Sequence, residues 1–360
     1  MQSTLDSTWL NFLQSFNAQF DDTGRITSFG HPELERFLIK NGPVMTSLTH
    51  QALLKVSGND AFNFLQGQLT ADLKDVSAEK AQFSAYCDPQ GNVLANFLVF
   101  QYKGDFYLSF DGSLLEAIKK RLSMFVLRSD VAIEDVSGQL IHVGFAGEFG
   151  DVDMQRRMNT KIKNLFEAAM VDDEIMQDIL AVKVPGPYHR YELFGPAEQM
   201  IEAWNQIRAN CDLTNSFDWK LLNIAAGIPE VSSETSGKFT AQFLNLDKFD
   251  AISFKKGCFP GQEIIARIHY RGKVTKRMLR LHIEEDMPLS AGDELKLQDD
   301  NGKTHTLNIM QVRPDIFSGI LCLAVGTLKS LGAAEGEHLK TENGNPARIE
   351  PLPYSITDED

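Results

Sequence analysis

The sequence predicts an α+β fold: two ferredoxin-like α+β regions followed by a small antiparallel β-barrel-like domain at the C-terminal end. Three observations carry this. The 360 residues exceed what one hydrophobic core usually organises, so two or three domains are expected. Twice along the chain, strand patterns of period two alternate with helical patterns. From about residue 274 the elements become short, alternating and separated by turn residues.

The elements follow in order. Residues 1–43 predict an N-terminal helical extension, a helix followed by a loop around Gly30-His31-Pro32 and Asn41-Gly42-Pro43. Leu53–Val56 has a strand's pattern, and Gly58-Asn59-Asp60 supplies turn and cap chemistry. Ala61, Leu65 and Leu69 stand at helical spacing. Phe83–Cys87 and Asn92–Phe100 read as strands joined by Asp88-Pro89-Gln90-Gly91, whose Asp, Pro and Gly suit a type I turn. A strand at Phe106–Phe110, a helix at Ser113–Phe125 and a strand at Val131–Asp135 come next. A second series has a strand at Leu140–Phe145, a helix at Met154–Met170, strands at Ile179–Val184 and Tyr191–Phe194, and a helix at Pro196–Asn210. The order of elements repeats without any sequence repeat, and it resembles a split β-α-β unit. Trp219–Ala226 predicts a short helix stopped at Gly227-Ile228-Pro229. The last strands are Met278–Ile283, Glu294–Leu297, Thr304–Val312 and Gly319–Val325. The expected domains are therefore 1–43, 44–273 (two α+β parts at about 44–138 and 139–214, with 215–273 completing the site) and 274–360.

Composition narrows the function classes. Apolar residues make up 43% and charged residues 23%, which excludes a disordered, collagen-like or coiled-coil chain. Cys87, Cys211, Cys258 and Cys322 are too far apart for a CxxC clip, so no zinc ribbon or locally ligated iron–sulfur cluster is expected. So sparse a set suits a reducing compartment. No apolar run is long enough to span a membrane, and MQSTLDSTWL lacks a signal peptide's pattern, so a cytoplasmic location is expected. The net charge is −14, but residues 255–280 hold eight Lys or Arg against the single acid Glu263. That is a local anion site or a solvated basic face. With no aromatics interleaved among its charges, it argues against direct nucleic-acid binding.

Two positions carry the chemistry. On the strand Asn92–Phe100 both faces are apolar except at Asn96, a buried amide that must bond either to backbone or to a ligand. Cys258 sits in Lys255-Lys256-Gly257-Cys258-Phe259-Pro260-Gly261-Gln262-Glu263. Pro260 suits the first turn of a helix carrying Ile264, Ile265 and Ile268. A thiol just before a helix N-terminus, near two lysines, should gain thiolate character. Glu263 and Arg267, four residues apart, are placed to pair.

The stretch KKGCFPGQEIIARIHYRGK resembles the signature of the YgfZ family, bacterial folate-binding proteins of tRNA modification and iron–sulfur maintenance, related to the T-protein (aminomethyltransferase) of the glycine cleavage system. The resemblance rests on Lys256, Gly257, Cys258, Gly261, Gln262, Glu263, Arg267 and Tyr270. It extends through VSGNDAFNFLQGQLTADL (56–73), AYCDPQGNVLANF (85–97), WKLLNIAAGIPEV (219–231) and IEPLPYS (349–355). It implies a T-protein-like architecture around a central cavity for tetrahydrofolate or a one-carbon derivative. It also implies partners among iron–sulfur enzymes or cluster-assembly proteins, with tRNA-modifying enzymes reached indirectly. Trp219 matches a tryptophan linked to folate binding in that family, with an ordinary core tryptophan as the alternative. Gln51 stands where some members have a second tryptophan. The acid that assists aminomethyl transfer in T-proteins falls by spacing on Asn96, which cannot act as a general base at neutral pH. The leading expectation is thus an accessory protein using Cys258, without catalytic turnover of its own. A tetrahydrofolate-dependent aminomethyltransferase is the alternative, and a Cys258–His269 hydrolase a distant third.

Overall fold

The computed structural model describes residues 5–327 and 339–356, apart from the side chain of Asn41. Residues 7–41 contain more than a helix and a loop. Helix α1 (Ser7–Gln14) starts where the Asp6 carboxylate accepts from the Thr8 and Trp9 amides at 2.8 and 3.1 Å. A hairpin of β1 (Gln19–Phe20) and β2 (Ile26–Ser28) follows, then helix α2 (Pro32–Asn41). Gly30 and His31 are irregular as expected, but Pro32 opens α2. Pro32 occupies its first turn, Glu33 and Glu35 face its positive end, and Glu35 accepts the His31 amide at 3.2 Å.

The next elements are β3 (Val44–Ser47), β4 (Gln51–Ser57), α3 (Ala61–Gln68), β5 (Gln82–Cys87), β6 (Val93–Tyr102), β7 (Asp105–Asp111), α4 (Leu115–Ser123) and β8 (Ala132–Asp135). A turn of 3₁₀ helix, capped by Asp111 onto the Ser113 amide at 2.9 Å, leads into α4. Then come β9 (Ile141–Gly147), α5 (Gly150–Arg157), β10 (Ala168–Met170), β11 (Leu180–Val184), β12 (His189–Gly195), α6 (Ala197–Arg208), β13 (Asp212–Leu213) and α7 (Ser216–Ala226). The helix expected over Met154–Met170 is wrong. Asn159 and Phe166 adopt left-handed backbone (φ 44° and 63°), which stops α5, and Ala168–Met170 pairs as a strand with β11. Helix α8 (Gln262–Arg271) precedes β14 (Lys276–Ile283), β15 (Glu294–Gln298), β16 (Thr304–Pro314), β17 (Ile320–Thr327), β18 (Leu339–Thr341) and β19 (Pro346–Glu350).

The chain forms two compact units. One comprises residues up to Phe62, Lys74–Gln82 and Leu98–Leu222; the other comprises Asn63–Leu73, Phe83–Phe97 and the chain from Asn223. In the first, a six-stranded sheet has the order β10-β11-β12-β9-β3-β13, antiparallel except at the β13–β3 edge. A five-stranded sheet has the order β5-β6-β7-β4-β8. Both exceed the four strands of the ferredoxin unit that the element order suggests. Alternation sorts the six-stranded sheet's two faces. Ile141, Val143, Phe145, Tyr191 and Leu193 join Trp9, Leu13, Met200 and Trp204 in one core. Trp9 meets Trp204 edge-on at 5.5 Å and donates its Nε1–H to Ser47 Oγ at 3.1 Å. The opposite face carries His142, Gly144, Arg190 and Glu192.

The second unit closes a six-stranded antiparallel barrel, β14-β17-β16-β15-β18-β19, over Leu281, Ile283, Leu297, Leu307, Ile309 and Ala324. Closure by β18 and β19 was not legible in a sequence rich in Gly and charge. The buried Arg277 ties β14 to the preceding segment through Asp247 at 2.6 Å and the Gln242 carbonyl at 2.9 Å. Tyr354 Oη donates to the Gly227 carbonyl at 2.6 Å and accepts from Asn245 Nδ2 at 3.2 Å, so the C-terminal segment clamps the turn after α7.

Two substitutions test this packing. A Cβ at Gly144 would stand 2.3 Å from Trp219 Cζ2, so Gly144→Ala should cost about 1–3 kcal/mol. Tyr354→Phe removes the clamp's hydroxyl and should cost about 1–2 kcal/mol. Urea unfolding followed by circular dichroism reads both.

Candidate functional site

The segment around Cys258 is built on the turn after α3. Thr70 Oγ1 donates to the Ala251 carbonyl at 2.6 Å and accepts from the Ala85 amide at 2.9 Å, while the Ser253 amide reaches the Thr70 carbonyl at 2.9 Å. Lys256 turns inward, and its buried ammonium donates to the Leu69 and Ala71 carbonyls, each at 2.8 Å. Burial pulls its pKa down to about 8. Phe259 is buried too, 5.5 Å under that ammonium. Between these two anchors, Gly257 and Cys258 face solvent. Lys256 is therefore a structural pin of the loop.

The far end of the loop is fixed by glycine. Gly261 has φ 81°, and a Cβ there would lie 2.6 Å from the Asp88 carbonyl oxygen and from Gly91 Cα. Gly91, itself at φ 80°, lies against Ile264. The β5–β6 turn and the start of α8 thus pack backbone on backbone. Helix α8 begins at Gln262, so Pro260 lies before the helix rather than in its first turn; a left-handed Gly261 cannot be a helical residue. Gln262 Nε2 reaches back to the Gly257 carbonyl at 3.4 Å. Glu263, Arg267 and Tyr270 are exposed along α8, and Glu263 and Arg267 form no ion pair. No hydrogen bond joins Cys258 to His269, whose ring stacks on Phe254 at 3.8 Å, so the hydrolase dyad is not assembled.

The four thiols differ in environment. Burial pushes the Cys211 and Cys322 thiols up to about 12 and Cys87 higher still. Cys258 is the exposed one.

Asn96 lies on β6, five residues beyond the turn glycine. Its Nδ2 donates to the Pro229 carbonyl at 2.8 Å and its Oδ1 accepts from the Val231 amide at 2.9 Å. Of the two partners open to it, backbone is the one it takes. One N–H and one acceptor site remain, on a half-buried side chain.

Trp219 belongs to the other unit. It is fully buried, against Gly144 and with the Arg190 guanidinium 4.8 Å from its ring, and its Nε1 has no partner. Gln51 accepts from Ser109 Oγ at 2.7 Å. Beside Trp219 lies a buried charged layer that sequence reasoning missed. His142 pairs with Glu192 at 2.9 Å, Arg190 approaches Glu192 at 3.7 Å, and Lys220 pairs with Asp111 at 2.8 Å. His50, buried with both ring nitrogens unpartnered, is held neutral because burial drives its pKa well down. The signal was present in the strand His189–Gly195, where Arg190 and Glu192 alternate with apolar Tyr191 and Leu193. Among the described residues no group of three His, Cys, Asp or Glu is placed to hold a metal ion.

The structure thus holds the loop at two points, Lys256 on the turn after α3 and Gly261 on the β5–β6 turn, with Gly257 and Cys258 exposed between them. If the Gly261 contact fixes the loop, Gly261→Ala should destabilise the protein by about 1–3 kcal/mol. Gly257→Ala, with open space around it, should leave the urea midpoint unchanged.

No protein-family model matches the chain. It is 30% identical over 316 residues to the tRNA-modifying protein YgfZ of Klebsiella pneumoniae (strain 342), covering 87% of this chain and 94% of that one. The protein of the same name from Enterobacter sp. (strain 638) is 28% identical over 315 residues, with 87% and 93% covered. Among solved structures, the glycine cleavage system aminomethyltransferase T from Bartonella henselae has a TM-score of 0.75 over 97% of both chains at 14% identity, which shows a T-protein-like fold. With near-complete coverage at this identity, the chain belongs to the YgfZ family of tRNA-modifying proteins.

Proposed function

We propose that this protein is a folate-binding accessory factor that supports iron–sulfur cluster assembly or repair, and through it tRNA thiomethylation by radical enzymes, with Cys258 as its reactive group. The observation that carries this reading is the thiol's setting. Lys256 and Phe259 pin the loop, Gly261 fixes its far end, and Cys258 alone among the described cysteines faces solvent. A rigid loop presenting one accessible thiol suits a group that meets another protein or its cluster.

The folate part rests on the T-protein-like fold and on unsatisfied polar atoms. Asn96 keeps a spare donor and acceptor, capacities that a pterin's alternating donors and acceptors can use. Trp219 is fully buried with the Arg190 guanidinium over its ring, so it offers a ligand no open stacking face. Bound tetrahydrofolate would supply a one-carbon carrier. Asn96 argues against aminomethyl transfer because its amide cannot take a proton at neutral pH and already bridges Pro229 and Val231.

Titration with tetrahydrofolate should show saturable binding, weakened by Asn96→Ala; no saturation at millimolar ligand rejects the folate site. Iodoacetamide labelling followed by mass spectrometry should modify Cys258 first, with the other three thiols reacting only on unfolding. In a deletion strain, Cys258→Ser should fold normally yet fail to restore iron–sulfur enzyme activity and tRNA thiomethylation. Full complementation overturns the cysteine's role.

Asn96→Asp tests the amide itself. At neutral pH the carboxylate still accepts from Val231 but faces the Pro229 carbonyl without a proton to donate, at a cost of about 1–3 kcal/mol. That contact raises the folded-state pKa of the new acid, so the loss should shrink as pH falls and the carboxyl protonates. Stability measured against pH checks the sign. No tetrahydrofolate-dependent ammonia release from an aminomethyl-lipoyl carrier should appear in the wild type.

A further inference from the structure

The basic segment 255–280 sorts into two groups once folded. Lys256 points inward to carbonyls, Arg277 pairs with Asp247 at 2.6 Å, and Arg280 pairs with Glu350 at 3.3 Å. The other five, Lys255, Arg267, Arg271, Lys273 and Lys276, are exposed and have no ion-pair partner among the described residues. They belong to α8 and the chain entering and leaving it. The fold also groups the segment's own His269 and Tyr270 with Phe254, which lies just before it. Phe254 stacks on His269 (3.8 Å between centroids, 11° between planes), and Tyr270 meets His269 edge-on at 4.7 Å and Phe254 at 6.0 Å. Tyr270 is 67% exposed, its ring propped against His269 and Phe254 with most of its surface in solvent. Arg267, Tyr270 and Arg271 border an open hollow of about 830 Å³ along α8, with Glu263 the acid among its lining residues.

From these observations we infer that the outer face of α8 docks an unpaired RNA segment, with phosphates on Arg267, Arg271 and Lys273 and a base on the Tyr270 ring. Exposed cations flanking a supported aromatic ring are the elements of a single-strand site, because phosphates take the charges and every base offers a π-face to the ring. The −14 net charge does not forbid this: screening at physiological salt cuts off the distant acids within about 8 Å, and the local patch decides. This inference is independent of the folate and thiol readings, and it replaces the expectation of no direct nucleic-acid contact.

Fluorescence anisotropy with a labelled, unstructured RNA oligonucleotide tests it on the full chain. Binding should weaken with salt, with a log–log slope of about −0.7 for each phosphate engaged. Arg267→Ala with Arg271→Ala should flatten that slope by about 1.4. Tyr270→Ala should weaken binding about 5- to 100-fold, and Tyr270→Phe should retain it. All these side chains are exposed, and circular dichroism confirms that the variants fold. The proposal fails if no binding appears at low salt, if Tyr270→Ala binds as wild type, or if duplex RNA, whose base faces are covered, binds equally well. Preference for anionic vesicles over RNA likewise overturns it.

Discussion

Gly91 in the β5–β6 turn and Gly261 at the head of α8 meet with no room for a side chain between them, and the arrangement of the Cys258 loop follows from that meeting. Both residues are left-handed, so glycine is demanded twice over, by conformation and by contact. The same hairpin carries Asn96 on its second strand, where the amide hydrogen-bonds the Pro229–Val231 segment. One turn therefore aligns two sequence motifs more than 150 residues apart in the chain. Lys256 completes the frame from the other side. Its buried ammonium is offset by two carbonyl acceptors, which makes the loop rigid without placing a free cation in it.

The first unit solves a different problem. The face of its six-stranded sheet opposite the tryptophan core carries His142, Arg190 and Glu192, buried groups that need partners. They find them in one another, and burial lowers the His50 pKa so that the ring stays neutral beside Lys220. Gly144 leaves the space that Trp219 fills on that face, so the indole is placed by the absence of a Cβ. A charged layer of this kind is costly to disturb, because removing one member strands another in a low-dielectric setting.

Membership of the YgfZ family and a T-protein-like fold describe lineage, and the functional reading depends on what individual side chains do within that fold. At Asn96 an amide serves the backbone of the Pro229–Val231 segment. At Cys258 a solvent-facing thiol stands on a pinned loop. On α8 the exposed charges and Tyr270 form a second surface open to solvent.

The sequence by itself determined the mixed α+β character, the Asp88–Gly91 turn and the C-terminal β region. Each is written in local periodicity, turn chemistry or a contiguous motif. What depended on distant partners was decided only by tertiary structure. The strand at Ala168–Met170 exists because β11 pairs with it, and the barrel closes only when β19 meets β14. Asn96 read as a choice between backbone and ligand until Pro229 and Val231 arrived beside it. Lys256 read as a cation near the thiol, but its ammonium is buried on the carbonyls of Leu69 and Ala71, residues nearly two hundred positions away. The Phe254–His269–Tyr270 cluster is likewise invisible along the chain, because residues fifteen apart stack only after α8 folds back over the loop that precedes it. Local pattern fixes which way a residue leans; burial and pairing, which need the whole fold, fix what it touches.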